Sequence, residues 1–476
     1  MTKLFSETRP SDALTPVAAY AALRAHAGDG ASFLFESVVG GERWGRYSIL
    51  GYRPRYELVH GWDGIRVEGK LPEGRALADD GDPLERIAPL LAPVGPASSP
   101  AERFASGHVG FFAWDLVHRI EAVPPGDPVV WKRHFLPLFR LLGGLVVVVF
   151  DNLAQTYTVS ADDPAKVTRA LSDLETRVPL RAIDLPDRSR VPEHRVDVDD
   201  TTFCARVRDA QELIRAGDAF QVVLARTFQC DARGRDAFDV YRAMRLVNPS
   251  PYMYFLDLPP AEGEATRTQI AGASPETLIR TEDGKVTVRP IAGTRPRGKT
   301  EAADREAERE LLADEKERAE HVMLVDLGRN DVGRVSELGT VAITKQMVTE
   351  RYSHVMHIVS EVSGTLRADA SPVDVVRAGF PAGTLSGAPK VRAMQIIREL
   401  EARPRNIYGG AIGYVAGSGE VDLAIAIRTA VCRNGVFEIS AGAGVVDASV
   451  PESEAEETRS KARGVLAAIA AVPERA

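Results

Sequence analysis

Glutamates recur in pairs at helical spacing within the second half of the chain. In Asp314-Glu-Lys-Glu-Arg-Ala-Glu-His321, Glu317 and Glu320 stand three apart and share a helix face. In Pro451-Glu-Ser-Glu-Ala-Glu-Glu-Thr458, Glu454 and Glu457 repeat that spacing. Carboxylate pairs brought together repel unless a hard cation lies between them. An all-oxygen donor set favours Mg or Ca over zinc, and Mg keeps positions open for substrate oxygens. The run 317–321 offers neither H-E-x-x-H nor E-x-x-H, so zincin and di-iron chemistry fit poorly. By spacing alone, both runs more readily describe solvated, salt-bridged helix faces.

Two small-residue loops come next, Ala382-Gly-Thr-Leu-Ser-Gly-Ala-Pro-Lys390 and Ala441-Gly-Ala-Gly444. Glycine lets a backbone approach a ligand closely, and its N–H groups can hold an anion. The first loop is too short between its glycines for a nucleotide-binding P-loop, and Pro389 interrupts the glycine–lysine pair. Tight turns have the same composition. His357, in Val355-Met-His-Ile-Val-Ser360, and Arg428, in Ala424-Ile-Ala-Ile-Arg-Thr429, are polar groups in apolar settings. The second reads as a buried strand end, where an arginine requires an anion from a carboxylate or a ligand. A lone histidine in such a strand is more often a hydrogen-bonded core residue.

The elements that must position these groups are legible in outline. The segment 181–200, polar and containing Pro186 and Pro192, reads as a linker between an N-terminal domain, 1–180, and a catalytic domain, 201–470. A helix is predicted over 203–216, capped by Asp199, Asp200 or Thr201. Strands are predicted over 220–228 and over 285–291, the latter ending in Gly293. The stretch 302–327 is long and charged, with apolar residues at helical spacing near its end, and a last helix is predicted over 452–471. The apolar stretch 141–150 is too short to span a bilayer and reads as a buried strand.

Bulk properties narrow the class. A chain of 476 residues with 44% hydrophobic and 26% charged residues is ordinary for a large soluble protein. Its formal charge of −8 argues against nucleic acid and against anionic membrane as partners. An anionic substrate would therefore need local cations. Three scattered cysteines, Cys204, Cys230 and Cys432, form no metal or disulfide framework and suit a reducing cytoplasm. The segment 1–10 has no apolar h-region, so a secretory signal is not expected.

Taken together and in order, these stretches resemble the chorismate-binding enzyme family. The resemblance is carried by Gly217-Asp-Ala-Phe-Gln-Val222, Ala273-Ser-Pro-Glu276, Pro290-Ile-Ala-Gly-Thr-Arg-Pro-Arg-Gly298, the run from Glu320 to Asp331, the Gly383 to Lys390 loop, and Pro451 to Lys461. It implies an α+β fold, a large composite core of antiparallel sheets flanked by helices. It implies that Glu320 and Glu457 bind Mg2+, with Glu317 and Glu454 beside them. The metal would hold the ring carboxylate of chorismate. Arg428, Lys461 and Tyr408, with the amides of Gly442, Ala443 and Gly444, would hold the enolpyruvyl carboxylate, and Gly293, Thr294 and Thr384 would line the site. Glu276 matches the family's acid for the departing hydroxyl, and His357 its catalytic histidine.

Within the family, isochorismate and salicylate synthases place a lysine where this chain has Gln221, and aminodeoxychorismate synthases place a lysine where it has Ala292. Both departures point to the branch that uses ammonia and forms anthranilate. Glu36, Ser37 and the Pro251-Tyr-Met253 run resemble that branch's L-tryptophan inhibition site. No stretch reads as a glutamine amidotransferase domain with its nucleophilic cysteine. The resemblance thus implies a separate glutamine amidotransferase small subunit as the source of ammonia, and a hetero-oligomer.

Overall fold

The computed structural model describes residues 3–37, 45–97, 99–261, 264–351 and 355–475. Its frame is two large antiparallel sheets, of twelve and eleven strands among the described residues. The first runs from Phe5–Pro10 at one edge to Arg195–Val196 at the other, and the second from Ile291–Pro296 to Gly64–Gly69. The α+β expectation holds.

Side-chain alternation explains the layering. On strand Tyr252–Leu258, Tyr254 and Leu256 enter one apolar cluster, while Met253 and Phe255 enter another. Phe33 and Leu34 on Ser32–Glu36 divide in the same way, as do Leu141 and Leu142 on Phe139–Gly143. Successive residues of a strand face opposite sides, so a strand buried on both faces is apolar throughout. The shared cluster, with Phe33, Phe111, Leu142, Val147 and Leu256, lies between the sheets. Two further large clusters fix helices to the sheets. Helices Pro16–Ala27, Ala237–Val247 and Pro451–Ala470 cover the first sheet. Helices Pro83–Leu91, Asp200–Arg215, Glu315–Gly333 and Lys390–Leu400 contribute to a cluster that joins the second sheet to strand Gln221–Asp231 of the first.

Both sheets take strands from either side of the segment 181–200. Ser32–Glu36 pairs with Tyr252–Leu258, setting Glu36 opposite Met253, and His108–Phe112 pairs with Ala411–Val415.

Two expectations are corrected, and a third stretch divides. The stretch 141–150 is not one strand. Phe139–Gly143 belongs to the second sheet and Val146–Asp151 to the first, and the chain crosses at Gly144, whose φ of +64° suits glycine. The charged stretch 302–327 is two helices, Glu301–Ala313 and Glu315–Gly333. Asp314 breaks it by accepting from the amides of Lys316 and Glu317, a cap that competes with continued helix. The strand predicted over 285–291 is likewise two, Lys285–Val288 and Ile291–Pro296, and Gly293 sits inside the second at a bulge with φ +64°. The helix predicted over 203–216 forms as Asp200–Arg215, with Asp199 accepting from Thr202 N–H.

Candidate functional site

The new helix start at Asp314 places Glu317 in the first turn of Glu315–Gly333, where the helix dipole favours negative charge, and Glu320 follows one turn on. Glu454 lies in the first turn of Pro451–Ala470, with Glu457 one turn on. The two helix starts share one region. The Glu454 carboxyl feels Lys316 of the other helix, and Gln221 Nε2 donates to Glu320 Oε1 at 3.2 Å. Burial raises the pKa of both Glu317 and Glu454 above the ordinary carboxylate value. Repulsion from Glu320 adds to the first, and from Glu457 to the second. Among the described residues, no group of three or more His, Cys, Asp or Glu stands close enough to hold a metal as a closed cluster.

Strand Gln221–Asp231 pairs along Val436–Val445, bringing Ala225 opposite Gly442 and Leu224 opposite Ala443. The partner strand leaves little room for side chains here, least at Gly442. A Cβ at Gly442 would lie 2.6 Å from the Tyr408 hydroxyl and 2.8 Å from the Leu224 carbonyl oxygen, and one at Gly444 would lie 2.6 Å from Gln221 Nε2. Lys461 bridges outward from this floor, donating to the Gly442 carbonyl at 2.9 Å and pairing with Glu457 at 2.7 Å. The Oε1 of Gln221 is buried without a hydrogen-bond partner among the described residues.

Glu276 is buried at the end of Thr268–Ser274, and Thr384 Oγ1 donates to its Oε1 at 2.9 Å. Burial pushes its pKa up to about 7, against the opposing pull of the Thr384 hydrogen bond, Arg428 and Lys461. It therefore keeps its proton near neutrality, as a general acid must. Thr384 stands in the short turn Gly383–Ser386, and the following Gly387–Ala388 pairs with Gln221 and Val222. The loop's lysine, Lys390, is committed to Asp331 at 2.9 and 3.0 Å.

His357 pairs with Thr294 across the Gly293 bulge. Its Nδ1 lies 3.0 Å from the Gly293 carbonyl and 3.0 Å from Thr294 Oγ1. A carbonyl only accepts, so Nδ1 carries the hydrogen and the neutral ring presents its lone pair at Nε2. Burial lowers the His357 pKa, which favours the neutral ring. Arg428 is not a buried strand end. It is half-buried in the link after Val421–Ile425, with φ +50°, and donates to Asn248 Oδ1 at 3.4 Å.

A second feature lies between the sheets. A cavity of about 710 Å³ is lined by Glu36, Ser37, Pro251, Tyr252 and Met253 together. Register accounts for this, since Glu36 and Met253 are directly paired. The Glu36 carboxylate accepts from Tyr241 Oη at 2.5 Å and pairs with Arg245 at 3.1 Å, whereas Ser37 Oγ is buried with no partner among the described residues. Tyr252 Oη lies 2.9 Å from Asp422 and 3.0 Å from Thr277, the neighbour of Glu276. Sequence reading missed Arg280, Tyr414 and Asp422, which help line this cavity. They come from separate strands of the second sheet, and no local motif joins them.

The profile of the chorismate binding enzyme family matches residues 66–467. Anthranilate synthase component 1 of Pseudomonas putida is 45% identical over 464 residues, covering 92% of this chain and 90% of its own. The crystal structure of anthranilate synthase component I from Streptococcus pneumoniae TIGR4 superposes with a TM-score of 0.75 at 34% identity, covering 90% of this chain and 94% of that one. The menaquinone-specific isochorismate synthase of Escherichia coli superposes with a TM-score of 0.72 at 18% identity, covering 98% of this chain and 95% of its own, which speaks for the fold alone.

Proposed function

The chain belongs to the chorismate-binding enzymes, and from that premise we propose that it is the large component of an anthranilate synthase, converting chorismate and ammonia to anthranilate and pyruvate. The observation that carries the chemistry is Glu276, a buried carboxyl held at Thr384 with its pKa pushed up to about 7. Ammonia attacks ring carbon C2 of chorismate as the C4 hydroxyl departs. Hydroxide is a poor leaving group, and the Glu276 proton converts it to water. The resulting amino adduct loses its C2 proton to His357 Nε2 as the C3–O bond breaks, which makes the ring aromatic; the departing enolpyruvate takes up a proton on its methylene carbon to become pyruvate. Arg428, Lys461, Tyr408 and the Gly442–Gly444 backbone bind the enolpyruvyl carboxylate. In an acidic protein these cations are what makes a dianion's approach favourable.

The four glutamates fit a hard cation in donor chemistry: burial and their like-charged neighbours raise the pKa of Glu317 and Glu454 despite Arg295 beside the first and Lys316 and Lys461 near the second. A closed cage is not required, because Mg binds through one or two carboxylates and completes its shell with water and substrate. Glu320 and Glu457 would hold it, with Glu317 and Glu454 beside them. When bound, Mg2+ supplies the charge that anchors the ring carboxylate.

Gln221 argues for ammonia over water as nucleophile. A neutral amide can orient a nucleophile but cannot take its proton, and water needs that help where unprotonated ammonia does not. Ala292 offers no nucleophile for a covalent ring adduct. The ammonia comes from a separate glutamine amidotransferase subunit in a hetero-oligomer, and the Ser37–Tyr252 cavity takes L-tryptophan as feedback inhibitor in tryptophan biosynthesis. The orphaned Ser37 hydroxyl in an aromatic-lined space supports that reading. Among the described residues no helix is long and apolar enough to cross a membrane, which is compatible with a cytoplasmic enzyme.

The test is fluorimetric. The purified chain with chorismate, Mg2+ and an ammonium salt should release anthranilate, and glutamine should replace ammonium only when the small subunit is added. Isochorismate or salicylate formed by the chain without ammonia would assign it to the water-using branch.

A further inference from the structure

Strand Gln221–Asp231 is covered on one side by Val436–Val445, but on the other only at its ends. Gly387–Ala388 pairs with residues 221–222, and Arg195–Val196 pairs with residues 228–229. The backbone between them would be left with buried, unsatisfied groups. Side chains fill the gap. Glu401 Oε1 accepts from Ala225 N–H at 2.8 Å, and Arg405 donates through one terminal nitrogen to the Val223 carbonyl at 2.7 Å. Glu401 and Arg405, four residues apart, thus replace the missing strand.

Arg405 reaches further. Its other terminal nitrogen donates to the Leu385 carbonyl at 2.7 Å, inside the Gly383–Ser386 turn that carries Thr384. Its Nε and NH2 donate to Glu401 at 2.8 and 2.5 Å. The guanidinium lies 4.9 Å from the Trp114 ring and 5.7 Å from that of Tyr408. Asp115 fixes the same stretch from below by accepting from the Arg405 and Asn406 amides at 3.3 and 2.6 Å. Glu401 and Arg405 are 8% and 7% exposed, so the pair is dry.

We propose that Arg405, paired with Glu401, is a positioning residue for the reaction: it locks the Gln221 strand, the Thr384 turn and Tyr408 into one register. A buried ion pair is weak ground for stability, since apolar residues of similar volume often serve as well or better. What they cannot do is satisfy carbonyls on two different segments at once. The planar guanidinium fork does, and a lysine, a single charge with three donors at one point, cannot reproduce it. Through Leu385 the fork sets Thr384, and Thr384 sets Glu276. Arg405 touches no reacting atom and acts through these groups.

The inference rests on the anthranilate synthase reading, and its test separates the two. Wild type, Arg405→Lys and the charge-free double variant Glu401→Gln/Arg405→Met are assayed as full chains with chorismate, Mg2+ and ammonium. The kcat of each is referred to the fraction folded by near-ultraviolet circular dichroism. Misplacement of about 1 Å can cost ~100-fold in rate, so both variants should lose ~10- to 100-fold in kcat, with KM for chorismate changing less. Tryptophan affinity should stay at the wild-type value, because the pair does not line that cavity. A purely structural role would lower the folded fraction and leave kcat per folded molecule intact. Arg405→Lys or the double variant turning over at the wild-type kcat overturns the proposal. So does a double variant that cannot fold, which would make the pair a requirement of the fold. A wild-type chain that forms no anthranilate sinks the functional reading instead.

Discussion

The Ser37–Tyr252 cavity holds about 710 Å³ of space between walls carried mostly on strands, with the helix Pro100–Ala105 closing part of it, while the space beside Glu276 and Thr384 amounts to about 40 Å³. In the first, a buried hydroxyl stands without a partner and the walls are fixed by sheet register. In the second, the site's groups are largely engaged with one another: Lys461 with Glu457, Gln221 with Glu320, Thr384 with Glu276, His357 with Thr294. A preformed cavity binds its ligand with little rearrangement. A self-paired site must exchange internal partners for substrate and metal, and interactions gained only as charge develops accelerate the reaction. The two regions therefore call for different experiments, because damage to the catalytic one should appear in kcat and damage to the cavity in ligand affinity alone.

The largest effect is expected at Glu276. Glu276→Gln keeps the shape and removes the acid, and general acid catalysis contributes roughly 10²- to 10⁴-fold, so kcat should fall by that order. Stability should move the other way. Burial raises the Glu276 pKa from 4.5 to about 7. A raised carboxyl contributes its stability below the unfolded value and loses it as pH rises through the folded one. Above pH 7 the neutral glutamine should therefore stabilise the fold, by up to about 3 kcal/mol at 1.36 kcal/mol per unit. Thermal melts at pH 6 and 8.5 would show it. A glutamine variant with near-normal kcat would remove Glu276 from the acid role.

Next are the carboxylate pairs. Glu320→Gln and Glu457→Gln should each lower activity at modest Mg2+ by about 100-fold, the upper range for disturbing a metal site. Raising Mg2+ should recover part of the loss. If either variant works normally at low Mg2+, the metal lies elsewhere. A smaller effect is the alkaline limb of wild type. With the acid's pKa near 7, kcat/KM should fall tenfold per unit above that value, and Glu276→Gln should flatten the limb.

The sequence disclosed these regions unequally, and range explains why. The glutamate pairs were legible because three residues on a helix are neighbours whatever the tertiary fold. The Thr384–Glu276 contact spans 108 residues, and neither partner is unusual in its own neighbourhood, so only family resemblance picked them out. Asp314 looks like one more charge in a helical run because side-chain capping leaves the apolar spacing on either side intact. Arg428 looks like a strand end because Ile425-Ala-Ile427 continues a strand-like pattern past the strand's true end at Ile425. Glu401 and Arg405 went unnoticed, since charges around a proline look like a surface turn. Their partners are backbone groups of a distant strand, and composition cannot show those.

The smallest effect sharpens the comparison most. A ligand that binds only the folded state stabilises it by RT ln(1 + [L]/Kd), about 2.7 kcal/mol at a hundredfold excess over Kd. In a chain of this size that amounts to a few degrees of melting temperature, since the shift per kcal/mol shrinks as the unfolding entropy grows with length. L-Tryptophan should give this shift with or without Mg2+, because the cavity lies between strands and none of the four glutamates lines it. Chorismate should give it only with Mg2+, because the carboxylate pairs must first be neutralised. Ser37→Phe places a ring in the cavity at the orphaned hydroxyl. It should abolish the tryptophan shift and relieve inhibition while leaving basal anthranilate formation and the chorismate shift unchanged. If tryptophan stabilises the Ser37→Phe variant normally, it binds elsewhere. If its shift in wild type requires Mg2+, tryptophan is occupying the chorismate site, and the division between a preformed cavity and a self-paired active site fails.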